Sequence, residues 1–203
     1  MSEKKEAIKQ NAIDLFYKKG YFATSIGDIA RPTGIRKSSI YYHYQNKEDI
    51  LFDILKTTML DLDRSLEEHI EGVDDPEQKM RSAITSHIIF HIERQKEVII
   101  SDSELRGLSL ENYKAITKMR DKYEHKFQAL IKNGIQKQVF VDYDFKIISY
   151  GILTMCTAVA LWFRPKGRLP KREIAEMYTD FIIDGLKKKH DRQRSSASKK
   201  GRG

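Results

Sequence analysis

Between Ser25 and Lys47 the chain reads SIGDIARPTGIRKSSIYYHYQNK, and its reactive side chains there are hydroxyls, phenols and cations. On a helix beginning after Gly34, Ile35, Ile40 and Tyr44 give an inward side, while Ser38, Ser39, Tyr41 and Tyr42 fall on the other with Lys37 at its flank. That outward face is small and polar first, then aromatic, then basic. It suits a helix pushed into a DNA major groove with hydroxyls and lysines on the flanking phosphates. The same spacing also fits an ordinary helical hairpin with a solvated face.

A second candidate is the pair His87 and His91, one helical turn apart, a spacing that can hold a metal. Ile88 follows the first histidine where a zinc-protease helix carries a glutamate, and no nearby Cys or acidic residue has ligand spacing. The expectation is no metal, with both histidines lining a cavity or interface that accepts polar ligand groups. No Gly-rich phosphate loop, nucleophile elbow or spaced acid/base set is present, so neither an enzyme nor a cofactor is expected.

The elements that must position these groups read as helices throughout. Residues 4 to 19 place Ile8, Ala12, Leu15 and Phe16 on one face, with Gly20 as the stop. Ser25, followed three residues later by Asp28, starts a short helix near Ile26. Pro32 is expected to end it at Arg31, and Gly34 to take the left-handed turn. Asn46 caps a long helix from Lys47 to about Ile70, with Leu51, Ile54, Leu55, Thr58, Leu62 and Leu66 inward. Residues 77 to 105 read as two helices parted near Gln95, a loop follows around Gly107, and residues 110 to 138 form another long helix. Asp142 or Asp144 caps the next.

From Ile147 to Phe163 there is no charge, but the run falls short of the roughly 20 residues that cross a membrane and contains Ser149, Tyr150, Gly151, Thr154 and Thr157. A helix that is apolar all round is expected to be buried on both sides, against its own core and a second copy of the chain. The last helix, Lys171 to Lys188, carries Ile174, Met177, Tyr178, Phe181, Ile182 and Leu186 and would complete a four-helix homodimer interface, with no membrane involved.

The 203 residues are 40% hydrophobic, enough for one or two domains. One cysteine, Cys156, and a charged N-terminus without an apolar signal core fit the cytoplasm. The net charge of +8 is uneven: residues 1–50 carry 9 basic and 6 acidic groups, residues 51–186 carry 20 and 22, and residues 187–203 carry 8 and 1. The charge therefore argues weakly for DNA binding, and residues 190–203 are expected to be a disordered basic tail.

Residues 20 to 51, GYFATSIGDIARPTGIRKSSIYYHYQNKEDIL, resemble the N-terminal DNA-binding domain of the tetracycline-repressor (TetR) family. They match its Gly-(aromatic)-x-x-Thr-Ser/Thr-(aliphatic)-x-x-Ile-Ala start and its Tyr-Tyr-His-(aromatic)-x-x-Lys-Glu close. The resemblance implies an all-α protein: a three-helix helix-turn-helix domain, residues 1–46, and a larger helical ligand-binding and dimerisation domain, residues 47–189. It implies a dimeric repressor released by a small molecule from a palindromic double-stranded operator. By the same carry-over Ser25 and Gly27 meet phosphate, Lys37, Ser38 and Ser39 read bases, and Tyr41, Tyr42, His43 and Lys47 clamp the backbone. Pro32, Thr33 and Arg36 depart from the family pattern; Arg36 replaces the usual Ser cap of the recognition helix and would instead add a phosphate or base contact.

The stretches SELRGLSLENYKAITKMRDKYE and WFRPKGRLPKREIAEMY resemble a subset of these repressors associated with acyl-CoA thioesters and lipid or steroid catabolism. An acyl chain needs an apolar tunnel, for which Ile88, Phe90, Met119, Tyr123, Phe127, Met155 and Trp162 are candidates. A CoA phosphate needs fixed cations, for which Arg106, Arg120 and Arg164 are candidates. The alternatives are another hydrophobic effector, as in multidrug or lipid sensing, an acyl-CoA-binding protein or enzyme, and a DNA-binding activator or architectural protein.

Overall fold

The computed structural model describes residues 3–188; the expected basic tail lies outside them. Among those residues the fold is all-α, and Phe140 and Lys187 form an isolated bridge rather than a strand. The first three helices are α1 (Glu3–Lys19), α2 (Ile26–Thr33) and α3 (Lys37–Tyr41), followed by the long α4 (Lys47–Ile70). Then come α5 (Pro76–Glu93), α6 (Gln95–Ser103), a 3₁₀ turn at Leu105–Gly107, and α7 (Leu110–Gln136). The chain closes with α8 (Phe145–Thr157), α9 (Val159–Trp162) and α10 (Lys171–Leu186).

Local chemistry sets most boundaries. Asn46, Asp75, Ser109 and Asp144 each accept a backbone N–H from the first turn they cap. Gly34 closes α2 with φ of 65°, a left-handed conformation that costs glycine little. Two expectations are corrected. Helix α2 does not stop at Arg31: Pro32 sits in its last turn, where few N–H partners are lost. The Thr33 hydroxyl donates back to the Ile29 carbonyl at 2.9 Å and the Ala30 carbonyl at 2.8 Å in that turn, and the one bond Pro32 forgoes is that to the Asp28 carbonyl. The uncharged run is not one helix either, because Leu161 N–H bonds back three residues to Ala158 O and the backbone tightens between α8 and α9.

Two hydrophobic cores result. The first joins α1, α2 and α3 to the start of α4 through Ile8, Phe16, Ile29, Ile40, Leu51 and Leu55, and it also takes in Ile100 of α6 and Ile116 of α7. The second packs the rest of α4 against α5, α7, α8, α9 and α10. Helix α4 passes from one to the other between Leu55 and Met59, so it is a rigid member of both.

Candidate nucleic-acid interface and effector cavity

The end of the molecule formed by α2 and α3 is built to expose polar groups on a fixed base. Ser25 and Asp28 make a reciprocal cap: Asp28 N–H donates to Ser25 Oγ at 3.1 Å, and Ser25 N–H donates to Asp28 Oδ2 at 3.0 Å. The backbone N–H of Ser25 holds the Asp28 carboxyl below its ordinary pKa. A Cβ on Gly27 would fall 2.6 Å from Lys37 Cε, so the glycine is what allows Lys37 to lie across α2. Ile40 and Tyr44 are buried beneath α3, whereas Arg36, Lys37, Ser38, Tyr41 and Tyr42 are exposed, Tyr42 by 86%. As the sequence implies, Arg36 precedes α3 without a side-chain cap. Ser38, Ser39, Tyr42 and His43 border an open concavity of about 640 Å³ with Glu3 and Lys4. The solvent-facing side of this helical hairpin therefore carries hydroxyls, phenols and cations together, a composition that matches phosphate and base edges.

Lys47 departs from its expected place at the DNA backbone. Its Nζ donates to the Tyr21 and Thr24 carbonyls, each at 2.7 Å, and lies 4.2 Å from the centre of the Tyr21 ring. The loop before α2 curls over the start of α4, and its carbonyls claim the ammonium first.

The same end is tied to the larger core by specific contacts. Tyr44 donates its hydroxyl to Asp53 of α4 at 2.6 Å, which Lys5 also approaches. Glu48 accepts from Ser109 N–H and Asn112 Nδ2, both at 2.7 Å; these bonds hold its carboxyl below its ordinary pKa and join the starts of α4 and α7. Lys96 of α6 pairs with Asp14 of α1 at 2.5 Å. A Cβ on Gly107 would meet the Tyr21 ring at 2.6 Å and Leu51 at 2.9 Å, so the 3₁₀ turn presses directly on the first core.

Behind this junction a cavity of about 200 Å³ opens among α4, α5, α6, α7 and α8. Met59, Leu62, Phe90, Val98 and Leu153 supply apolar walls, and Asp102, Arg120 and Glu124 supply charges. Arg120 donates to the Ser101 carbonyl at 2.7 Å and to Asp102 at 3.1 Å. The two histidines stack with ring centres 3.9 Å apart. His87 Nδ1 is 2.9 Å from the Tyr123 hydroxyl, and its Nε2 is 3.1 Å from Thr157 Oγ1. Desolvation lowers the pKa of His87 well below its ordinary value and that of His91 to about 4, and it raises that of Tyr123. All three are neutral near pH 7. Among the described residues no group of three His, Cys, Asp or Glu is placed to hold a metal.

Of the residues expected to bind an effector, Phe90, Arg120 and Tyr123 come together here. The others do not. Phe127 is fully buried core, Met119 packs between the two cores, and Met155 packs against the second. Trp162 and Arg164 line a different, surface cavity of about 350 Å³ with Arg168, Met177 and Tyr178, because the tightening at Ala158 turns them away from Thr157. Arg106 is exposed in the 3₁₀ turn and lines neither cavity. Sequence reasoning missed Ser101 and Thr157; Thr157 gave the signal of a polar residue within an apolar run, and Ser101 gave none. A further 360 Å³ cleft between α1 and α4, bordered by Lys9, Asp61, Arg64 and Arg94, had no sequence signal because its walls come from distant segments.

Comparison with known proteins follows the same division. Residues 8–54 match "Bacterial regulatory proteins, tetR family", and residues 73–186 match "Tetracyclin repressor-like, C-terminal domain". The chain is 23% identical over 182 residues to the HTH-type transcriptional repressor KstR2 of Rhodococcus jostii, covering 89% of each chain. It superposes on the TetR family transcriptional regulator PfmR of Thermus thermophilus with a TM-score of 0.82 and 31% identity, covering 89% of this chain and 99% of that one. AibR in complex with isovaleryl coenzyme A and operator DNA superposes equally well, at 0.82 and 26% identity over 89% of this chain and 98% of that one. The exposed hydroxyl, phenol and cation face on α3, the two-core helical architecture and these matches lead to one conclusion: the chain belongs to the tetR family of bacterial regulatory proteins and is a DNA-binding transcriptional repressor, not an enzyme.

Proposed function

We propose that this repressor acts as a homodimer on a palindromic operator in the cytoplasm and is released by an acyl-CoA bound in its larger domain. The observation that carries the effector reading is the position of α6. It presents Val98 and Ser101 to the 200 Å³ cavity while burying Ile100 in the first core and pairing Lys96 with Asp14. A ligand that widens the cavity must displace α6, and with it the base of the reading end; a few kcal/mol of differential affinity would then shift the population away from the DNA-binding arrangement. Helix α4, which crosses both cores, offers a second route for the same displacement.

Apolar walls with Arg120 nearby suit a short acyl group and its anionic carrier, in keeping with the isovaleryl coenzyme A carried by AibR. The dimer reading rests on α8 and α10. Ile147, Tyr150, Met177 and Phe181 are 68%, 51%, 55% and 72% exposed. The segment Phe145–Trp162 is apolar enough to cross a membrane by composition, yet only 28% of it is buried within the chain. A second copy covers such a face at no cost to solubility. On this reading residues 1–46 bind DNA and residues 47–189 bind the effector and the partner.

The test is titration of acyl-CoA thioesters of graded length into the protein–operator complex, followed by fluorescence anisotropy of labelled operator. Release by at least one thioester at micromolar concentration is expected. A complex indifferent to every length would overturn the effector assignment.

A further inference from the structure

The 200 Å³ cavity and the 360 Å³ cleft between α1 and α4 share a wall. Both are lined by Thr58 of α4 and Phe90 of α5, which are 8% and 9% exposed. Thr58 donates its hydroxyl to the Ile54 carbonyl at 2.8 Å, so its polar atom is already used. The Phe90 ring stands edge-on to that of His91, with centres 6.0 Å apart. His91 is itself fixed by its stack on His87 and by its bond to the His87 carbonyl at 2.7 Å. Packed on a fixed neighbour, the phenyl group is a standing partition between the two spaces.

Beyond the partition the cleft has an apolar floor. Ile13 of α1 and Ile54 of α4 line it, and both belong to the first core. Its rim is charged, but the charges are matched among themselves: Lys9 pairs with Glu6 at 3.2 Å, Arg64 with Asp61 at 3.4 Å and Arg94 with Glu97 at 3.2 Å. The floor is therefore what the cleft offers a ligand arriving from the cavity.

We infer that Phe90 sets the length of the acyl group the cavity accepts. A chain that outgrows the cavity meets the ring, and without the ring it continues over Ile13 and Ile54 into the cleft. The cavity is smaller than the roughly 300–1,000 Å³ of drug-sized sites, so the limit falls at a short chain. Each methylene that a site accommodates tightens binding about fourfold, whereas one driven against a packed wall strains the core. Affinity against chain length therefore rises, peaks and falls. The inference rests on the acyl-CoA reading above and adds the residue that fixes its chain length.

The experiment is calorimetric titration of the full-length wild type, Phe90→Leu and Phe90→Ala with saturated acyl-CoA thioesters from acetyl-CoA to decanoyl-CoA. The wild type is expected to peak at hexanoyl-CoA or a shorter thioester. Phe90→Ala should move the peak by about four carbons and bind decanoyl-CoA about tenfold or more tightly than the wild type does. Phe90→Leu removes less of the wall and should move the peak by about two carbons; it carries the test if the alanine variant does not fold. The position of the peak is the readout, so a general loosening of the fold, which weakens every thioester alike, does not imitate it. A wild-type affinity that goes on rising to decanoyl-CoA, or a peak that stays in place in the folded variants, overturns the inference and leaves the acyl-CoA reading standing. Failure of every thioester to bind the wild type overturns both.

Discussion

Lys47 Nζ stands 2.7 Å from the carbonyl oxygen of Tyr21 and 4.2 Å from the centre of the same residue's ring. One side chain at the start of α4 therefore ties down the loop that precedes α2. Burial lowers the pKa of this ammonium, and the Glu104 carboxylate offsets part of that. Lys47→Ala is expected to lower stability by about 1 kcal/mol and to weaken DNA binding by loosening the reading end. It should leave the salt dependence of operator binding unchanged, whereas Lys37→Ala should reduce the slope of log K against log salt by about 1. Binding isotherms at four salt concentrations distinguish the two.

The exposed hydroxyls and phenols of α3 divide by role. Ser38→Ala and Ser39→Ala should change which base is preferred at one or two operator positions, at about 1 kcal/mol each. Tyr42→Ala, removing a ring that is 86% exposed and touches no core, should weaken all sequences alike. A panel of single-base operator variants reads both outcomes.

The stacked histidines make stability depend on pH. The folded pKa of His91, about 4, lies below its ordinary 6.5, so the unfolded chain binds more protons between these values. Its contribution is complete above pH 6.5 and is lost as pH falls through about 4; His87, depressed in the same direction, adds to the loss. At pH 5 the loss from His91 alone is about 2 kcal/mol, a fall in Tm of roughly 4–8 °C relative to pH 7.5. The depressed carboxylates Asp28 and Glu48 act only at lower pH. His91→Phe should flatten the curve between pH 5 and 7, as measured by calorimetry.

Gly107→Ala would drive a methyl group into the Tyr21 ring and Leu51. The expected cost is about 1–3 kcal/mol of stability, together with weaker operator binding because Tyr21 also anchors Lys47. Denaturant unfolding and anisotropy measure the two effects.

Phe181→Asp on α10 would place a charge on the exposed apolar face one turn from Met177 without touching the core. Sedimentation velocity should show conversion of dimer to monomer at micromolar concentration, with operator affinity falling at least tenfold since one reading head buries too little surface. A wild-type protein that sediments as a monomer would contradict the dimer reading.

Much of this fold is legible along the chain because its signals are local. Ser25 with Asp28, Asn46 and Asp144 satisfy N–H groups two or three residues away, and Gly34 supplies the left-handed residue that closes α2. Pro32 misled because the distance from a proline to the helix end decides its cost, and Pro32 lies in the last turn of α2. The outward face of α3 was legible too, since one turn of helix determines which side Ser38 and Tyr42 share.

Contacts between distant residues were not. Periodicity could assign Phe90, Phe127, Met119 and Trp162 to inward faces, but helix crossing and the tightening at Ala158 decided which met in one cavity. Lys47 was a cation beside a DNA-reading segment until the fold placed two carbonyls within 2.7 Å of it. By itself the sequence determined where helices begin, where they end and which side of each is polar, because those depend on neighbours within a turn or two. The tertiary structure alone decided that Ser101, His91 and Thr157 share a cavity and that α6 stands between it and the reading end, because those depend on how segments tens of residues apart pack against one another.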